Sequence, residues 1–162
     1  MSAPEIDADR IGLRLAIMPN DEAFLKQLYF DRRDELAALP DEIRTSLLEM
    51  QWVGREQHTR NEFPDAVRRV VTLDGEDVGE LIVEYRDDEL FGIDICVTPR
   101  LRNLGIGRYL MDMLMKEAAA AGHGFRYHVD NGNPAQRLYE RLGFDTISAT
   151  ETNIEMEWKP AK

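Results

Sequence analysis

The residues of this chain whose types and spacing could do chemistry cluster around one turn, Arg102-Asn103-Leu104-Gly105-Ile106-Gly107-Arg108. Glycines at 105 and 107 let the backbone approach a ligand closely. The apolar periodicity that follows predicts a helix, whose first turn would present unpaired N–H groups and the positive end of its dipole. Arg102 and Arg108 add charge suited to phosphate. The segment therefore reads either as a phosphate or pyrophosphate site or as a plain tight turn between strand and helix. A P-loop is excluded, because no Gly-Lys-Ser/Thr follows. A dinucleotide fingerprint fits poorly: Leu110 stands where the third glycine belongs, and Thr98-Pro99-Arg100-Leu101 separate the glycines from the preceding strand. His58, His123 and His128 lack metal-ligand spacing, and a lone Cys96 supports neither a disulfide framework nor a Cys-rich zinc site.

The elements that must hold this turn can be read from periodicity. Ile11 to Ile17 reads as a strand. Asn20 and Asp21 offer N-cap chemistry to a helix carrying Phe24, Leu25 and Leu28. Asp41-Glu42 opens a second helix, with Ile43, Leu47 and Leu48 on one face, running to about His58. Arg69–Leu73 and Val78–Tyr85 form a hairpin around Asp74-Gly75-Glu76-Asp77. Leu90–Val97 is a third strand, in which Ile93, Ile95 and Val97 alternate with Asp94 and Cys96. The long helix from Gly105 to about Ala121 buries Ile106, Leu110, Met113, Leu114 and Ala118. A strand at Phe125–Val129, a helix from Asn133-Pro134 to Gly143 and a closing strand pair, Phe144–Ile147 with Asn153–Trp158, complete the chain. Antiparallel hairpins followed by alternating helices and strands predict an α/β (α+β) mixed sheet.

Composition narrows the function classes. At 162 residues and 43% apolar, one domain over residues 1–162 with a substantial core is expected. No apolar run approaches the roughly 18 residues of a membrane span, and Met1–Glu5 has neither the basic nor the apolar region of a signal peptide. The expected compartment is a reducing cytoplasm. The formal charge is −11, which argues against general affinity for nucleic acid or anionic membrane. That charge is unevenly spread: residues 1–89 hold 22 acids and 11 bases, whereas residues 90–162 hold 9 of each.

Two segments carry a family resemblance. Ile95 to Gly107, with its Arg102-x-x-Gly105-x-Gly107 core, resembles the acetyl-CoA motif of the GCN5-related N-acetyltransferases. Asn133-Pro134-Ala135-Gln136-Arg137-Leu138-Tyr139-Glu140-Arg141-Leu142-Gly143-Phe144 resembles that family's second motif, in the right order and at the right separation. The likeness covers Val70 to Trp158 well and residues 1–65 only in outline. It implies the acyl-CoA N-acyltransferase fold: a central, mostly antiparallel sheet flanked by helices, with acetyl-CoA between two splayed parallel strands, here Leu90–Val97 and Phe125–Val129. It implies that the backbone of Ile95, Cys96 and Val97 pairs with the pantetheine arm. The segment Arg102, Asn103, Leu104, Gly105, Ile106, Gly107 and Arg108 would then cradle the pyrophosphate. Asn103 departs from the glycine many members carry there, but asparagine tolerates left-handed backbone angles. Asn133 would cap its helix and contact the cofactor.

On the same resemblance, Tyr139 lies near the thioester sulfur and acts as general acid, protonating the leaving thiolate. Read without the motif, Tyr139 packs, since Ala135, Leu138, Tyr139 and Leu142 share a helical face. The implied reaction transfers acetyl from acetyl-CoA to a primary amine by direct attack in a ternary complex. No metal is implied, and Cys96 becomes a small core residue rather than a nucleophile. The acid some members place on the fourth strand is Ile93 here, which leaves Glu84, Asp94 and Glu80 as base candidates. Asp94 also reads as a structural hydrogen-bonding residue. Residues 1–65, with Tyr29, Phe30 and Trp52, would supply the acceptor side, while residues 66–162 supply the core sheet and cofactor site. Arg32-Arg33 and Arg68-Arg69 read as solvated charges. The acceptor is a small-molecule or peptide amine, and the acidic half favours a cationic one. Homodimers are common in the family. A non-catalytic acyl-CoA-binding sensor or interaction module of the same fold is the alternative reading, and a nucleotide-binding oxidoreductase a more distant one.

Overall fold

The computed structural model describes residues 6–130 and 135–161. Its elements run β1 (Ile11–Leu15), α1 (Glu22–Phe30), α2 (Asp41–Glu62), β2 (Val67–Leu73), β3 (Glu76–Tyr85), β4 (Glu89–Val97), α3 (Ile106–Ala120), β5 (Gly124–Asp130), α4 (Ala135–Arg141), β6 (Asp145–Ala149) and β7 (Asn153–Trp158). The strands form one seven-stranded sheet in the order β1-β2-β3-β4-β5-β7-β6. Every neighbouring pair is antiparallel except β4 and β5. The mixed sheet expected from the sequence is thus the sheet observed.

Local chemistry accounts for most of the elements. Asp74 and Gly75 both take positive φ, 52° and 82°, as a two-residue hairpin turn needs. The α3 stripe Ile106, Leu110, Met111, Leu114 and Ala118 is buried and packs with Val71, Leu81 and Val83 of the sheet, with Phe125 and Val129 of β5, and with Met156 of β7. On the other face, Leu25 and Tyr29 of α1 and Trp52 of α2 close over Val70. The helix start at Asp21 differs from expectation. Its side chain makes no cap bond, because the carboxylate accepts from the Arg14 guanidinium at 2.8 and 2.9 Å and from the Ile17 amide at 2.7 Å. The aspartate ties β1 to α1 instead of capping the helix.

Two irregularities in β4 shape the centre of the sheet. Its register with β3 shifts between Ile82↔Asp94 and Val83↔Gly92, leaving Ile93 as the extra residue of a bulge. Its pairing with β5 covers only Glu89–Gly92 against Gly124–Tyr127. Beyond Gly92 the two strands part, while β5 continues to pair β7 as far as Asp130↔Asn153. Among the described residues, the Ile93–Val97 edge facing β5 therefore has no strand partner.

Candidate active site in the β4–β5 opening

Three features converge on this opening. The first is the unpaired edge of β4, a row of backbone groups that an extended ligand can join as an added strand. Ile95 and Val97 pack toward the α3 core, while Cys96 is buried and stands opposite Glu80 in the β3 register. Burial pushes the Cys96 thiol up, so it is held as a neutral thiol.

The second is the turn that leaves β4. Asn103 takes φ 63° and Gly105 φ 95°, so asparagine does adopt the left-handed conformation its side chain tolerates. Gly105 is the N-cap of α3 and supplies no side-chain cap. The first intrahelical bond runs from the Tyr109 amide to the Gly105 carbonyl at 3.0 Å, so the amides of Ile106, Gly107 and Arg108 have no partner within the helix. A Cβ built on Gly107 would meet nothing within 4 Å, and Arg102, Asn103 and Arg108 are exposed. An open cradle of amides, flanked by guanidinium groups at the positive end of a 15-residue helix, fits a pyrophosphate. Asn133 lies outside the described residues.

The third is a pair of tyrosines at the apex. Gly92 and Tyr127 form the last β4–β5 pair. Tyr139 of α4 meets the Tyr127 ring at 5.3 Å between centroids, in a T-shaped contact at 69°. Both rings are buried. Burial pushes the Tyr139 hydroxyl up to about 12, against the opposing influence of the neighbouring Tyr127. Burial pushes Tyr127 well above its ordinary value, reinforced by Tyr139.

The base candidates are dispersed among ion pairs. Asp94 accepts from Arg32 at Oδ1, 2.9 Å, and from Arg55 at Oδ2. Its burial favours the neutral acid, but the two guanidinium groups outweigh it and hold the carboxyl below its ordinary range. Glu80, 2% exposed, takes Arg55 on Oε1 at 2.6 Å. Its Oε2 stands 3.2 Å from Arg68 Nε without hydrogen-bond alignment. Burial leads there, and the Glu80 carboxyl is raised. Glu84 is bound by Arg86 at 2.7 Å and stands opposite Phe91, on the side of Gly92 where β4 and β5 remain paired.

The reading of Arg32 and Arg68 as solvated charges is corrected. A chain of ion pairs, Arg32–Asp94–Arg55–Glu80–Arg68–Glu56, runs beneath α2. Arg32 and Arg55 also stack over Tyr29, each 5.3 Å from its ring centroid. Tyr29 and Trp52 are core residues on this side. Sequence reasoning missed this chain because its members lie up to 62 residues apart. It also missed Tyr127, although Gly92 in a strand interior was a signal of close approach. Among the described residues, no cluster of His, Cys, Asp and Glu could hold a metal ion. No helix is long and apolar enough to cross a membrane.

A parallel strand pair that splays beside an amide cradle defines a scaffold for binding an acyl-CoA. A family model described as "Acetyltransferase (GNAT) domain" matches residues 66–146, and the chain belongs to the GCN5-related N-acetyltransferase (GNAT) family. Acetyl transfer is the activity general to that family. Solved structures share the fold at low sequence identity. The PaiA N-acetyltransferase of Thermoplasma acidophilum, in complex with coenzyme A, has a TM-score of 0.69 and 15% identity over 93% of this chain and 99% of its own. An acetyltransferase of Thermus thermophilus has a TM-score of 0.65 and 17% identity over 93% and 97%. The ribosomal-protein-S18-alanine N-acetyltransferase of Escherichia coli has a TM-score of 0.62 and 19% identity over 92% and 93%. No curated protein sequence matches the chain significantly.

Proposed function

We propose that this chain is an acetyl-CoA-dependent N-acetyltransferase that transfers the acetyl group to a primary amine by direct attack in a ternary complex. The observation that carries the reading is the β4–β5 opening, with the amide cradle at one end and the Tyr139 ring packed on Tyr127 where the strands part. The coenzyme A complex of the Thermoplasma acidophilum structure supports the choice of donor. In this reading the enzyme is one cytoplasmic domain. Residues 1–65 form its acceptor side and residues 66–162 its sheet and cofactor site.

The backbone of Ile95, Cys96 and Val97 binds the pantetheine arm as an added strand. The amides of residues 103–108, with Arg102 and Arg108, take the pyrophosphate, and Asn133 adds a polar contact. The amine nitrogen attacks the acetyl carbonyl, the C–S bond breaks, and Tyr139 Oη delivers its proton to sulfur. With a hydroxyl near 12 against about 8.5 for a thiol, Tyr139 stays protonated at neutral pH. It stabilises the departing sulfur first by hydrogen bonding and transfers its proton late. Asp94, with both oxygens occupied and its carboxyl held low, is a weak base, and Glu84 is bound to Arg86. The amine proton therefore leaves to water in this reading.

The acid excess of residues 1–89 favours a cationic amine through its long-range field, since Asp94 and Glu80 are already held by arginines. Two experiments test the reading. Acetyl-CoA and CoA should raise the melting temperature while NAD does not, and the absence of a shift with any CoA ester would overturn it. Tyr139→Phe should lower kcat by about 100-fold or more while still binding CoA, and full turnover would remove the acid role.

A further inference from the structure

His128 is the first residue of β5 past the last β4–β5 pair, Gly92↔Tyr127. Phe125, Tyr127 and Val129 pack into the α3 core, so strand alternation turns Arg126 and His128 to the face that α1 and α2 cover. The ring contacts agree. Phe91 of β4 meets the His128 ring edge-on at 5.3 Å and stacks at 5.4 Å on Phe63, the residue that ends α2. Tyr139 packs on Tyr127 within the α3 core, so Tyr139 and His128 flank the opening from opposite faces of the sheet. The His128 side chain is half-exposed, and its Nε2 stands 3.5 Å from Glu155 Oε2 of β7. A carboxylate beside Nε2 favours the tautomer with its proton there and its lone pair at Nδ1. The other charged groups on this face are occupied. Arg126 is matched by Glu89 and Glu155, and Arg86, which stacks over Phe91, by Glu84 and Glu89. Asp94 of β4 is held by Arg32 and Arg55. His58 of α2 meets the edge of Phe63, on the far side of Phe91.

We propose that His128 receives, through one water, the proton that the acceptor amine sheds as it attacks, with Glu155 orienting the imidazole. The inference rests on the reading of the chain as an N-acetyltransferase working in the β4–β5 opening. Direct transfer moves two protons at separate places, one onto sulfur and one off nitrogen, and the two faces of β5 keep those places apart. The amine nitrogen forms its bond to the carbonyl carbon, and the C–S electron pair goes to sulfur, which takes the Tyr139 proton. The surplus proton on nitrogen passes to the water, and that water gives a proton to His128 Nδ1. The imidazolium is stabilised by the Glu155 carboxylate, and its exposed edge returns the proton to solvent. A proton from solvent restores Tyr139. An imidazole suits this task because it changes charge between about pH 5 and 8, whereas the Asp94 carboxyl is held low by its arginines.

The test measures thiol release from acetyl-CoA by the parent protein and by His128→Gln, from about pH 5 to about pH 8. The acceptor is the most active amine of a panel of polyamines, amino acids, aminoglycosides and peptides. The amine's own titration is common to both proteins, so the ratio of their rates isolates His128. CoA-dependent thermal stabilisation reports whether the variant is folded and binds. At the upper end of the range His128→Gln should lose about 100-fold in kcat with KM for acetyl-CoA unchanged. The ratio should shrink as pH falls, because a protonated imidazole accepts nothing. A ratio that is the same at every pH, a loss confined to KM for acetyl-CoA, or an unchanged kcat overturns the inference and leaves the N-acetyltransferase reading standing. A parent protein that releases no thiol with any amine overturns that reading and this inference with it. Should His128→Gln fail to fold, carbethoxylation of the parent protein with diethyl pyrocarbonate, mapped by mass, replaces it. Turnover must then fall in step with modification of His128 and not of His58 or His123, and full turnover with His128 modified overturns the inference.

Discussion

Gly107→Leu separates the folding role of the glycine turn from its binding role. Gly107 lies in the first turn of α3, where glycine is a poor helix former, and a Cβ there would meet nothing within 4 Å. Replacing it with leucine should leave the apo protein as stable or raise its stability by about 0.5 kcal/mol, which is roughly 1–2 °C in Tm for a chain of this size. The same side chain fills the open cradle in front of the α3 amides and should weaken CoA binding at least about tenfold. At a CoA concentration 100 times the parent Kd, ligand stabilisation is about 2.7 kcal/mol, and a tenfold weaker Kd reduces it to about 1.4 kcal/mol. Thermal melts with and without CoA read both quantities from one sample. The expected pattern is an unchanged or higher apo Tm with a CoA-dependent shift cut to half or less. A variant that keeps the full shift would refute the placement of the pyrophosphate at this cradle, and a large drop in apo Tm would refute the claim that the position is open.

Further outcomes follow from other contacts. Asp21 is held down to about 2 by the Arg14 guanidinium and the Ile17 amide. Its folded value lies below its ordinary one, so its stabilisation is complete above about pH 4. It is lost as pH falls toward 2, and Asp21→Asn should flatten acid unfolding over that window. Should the variant retain the parent's pH dependence there, this assignment fails. Arg55→Met removes the guanidinium shared by the buried Glu80 and Asp94 carboxylates, leaving Asp94 with Arg32 and Glu80 with Arg68 alone, and should cost about 3 kcal/mol in denaturant unfolding, and a loss below about 1 kcal/mol would show that the ion-pair chain is dispensable. Cationic acceptors should outperform neutral ones of similar size, with added salt narrowing the gap, and a best substrate of net negative charge would contradict the proposed steering.

The order of elements was legible because each carries its own local signal. The α3 stripe, the Asp74-Gly75 turn and the alternation in β4 are short-range patterns, and the observed boundaries lie close to those the patterns predict. The amide cradle was legible for the same reason: Asn103, Gly105 and Gly107 declare their backbone needs within five residues. What escaped depends on tertiary contact. Asp21 looks like a cap until Arg14 reaches it. Arg32 and Arg68 look solvated until Asp94 of β4 and Glu56 of α2 meet them. The Ile93 bulge exists only once β3 flanks β4; the splay of β4 from β5 was implied by the family resemblance, but its exact start at Gly92 was not, and the contact of Tyr127 with Tyr139 joins two elements separated by the Asn133 motif.

The central claim, acetyl transfer from acetyl-CoA to an amine in the β4–β5 opening, is tested most directly by thiol release over a panel of polyamines, amino acids, aminoglycosides and peptides, with the product identified by mass. The account predicts amine-dependent release of free CoA matched one to one by a product about 42 Da heavier than its amine, the mass of an acetyl group replacing a proton. A protein that binds CoA yet releases no thiol with any amine would be a binding module of this fold, and the account would be wrong.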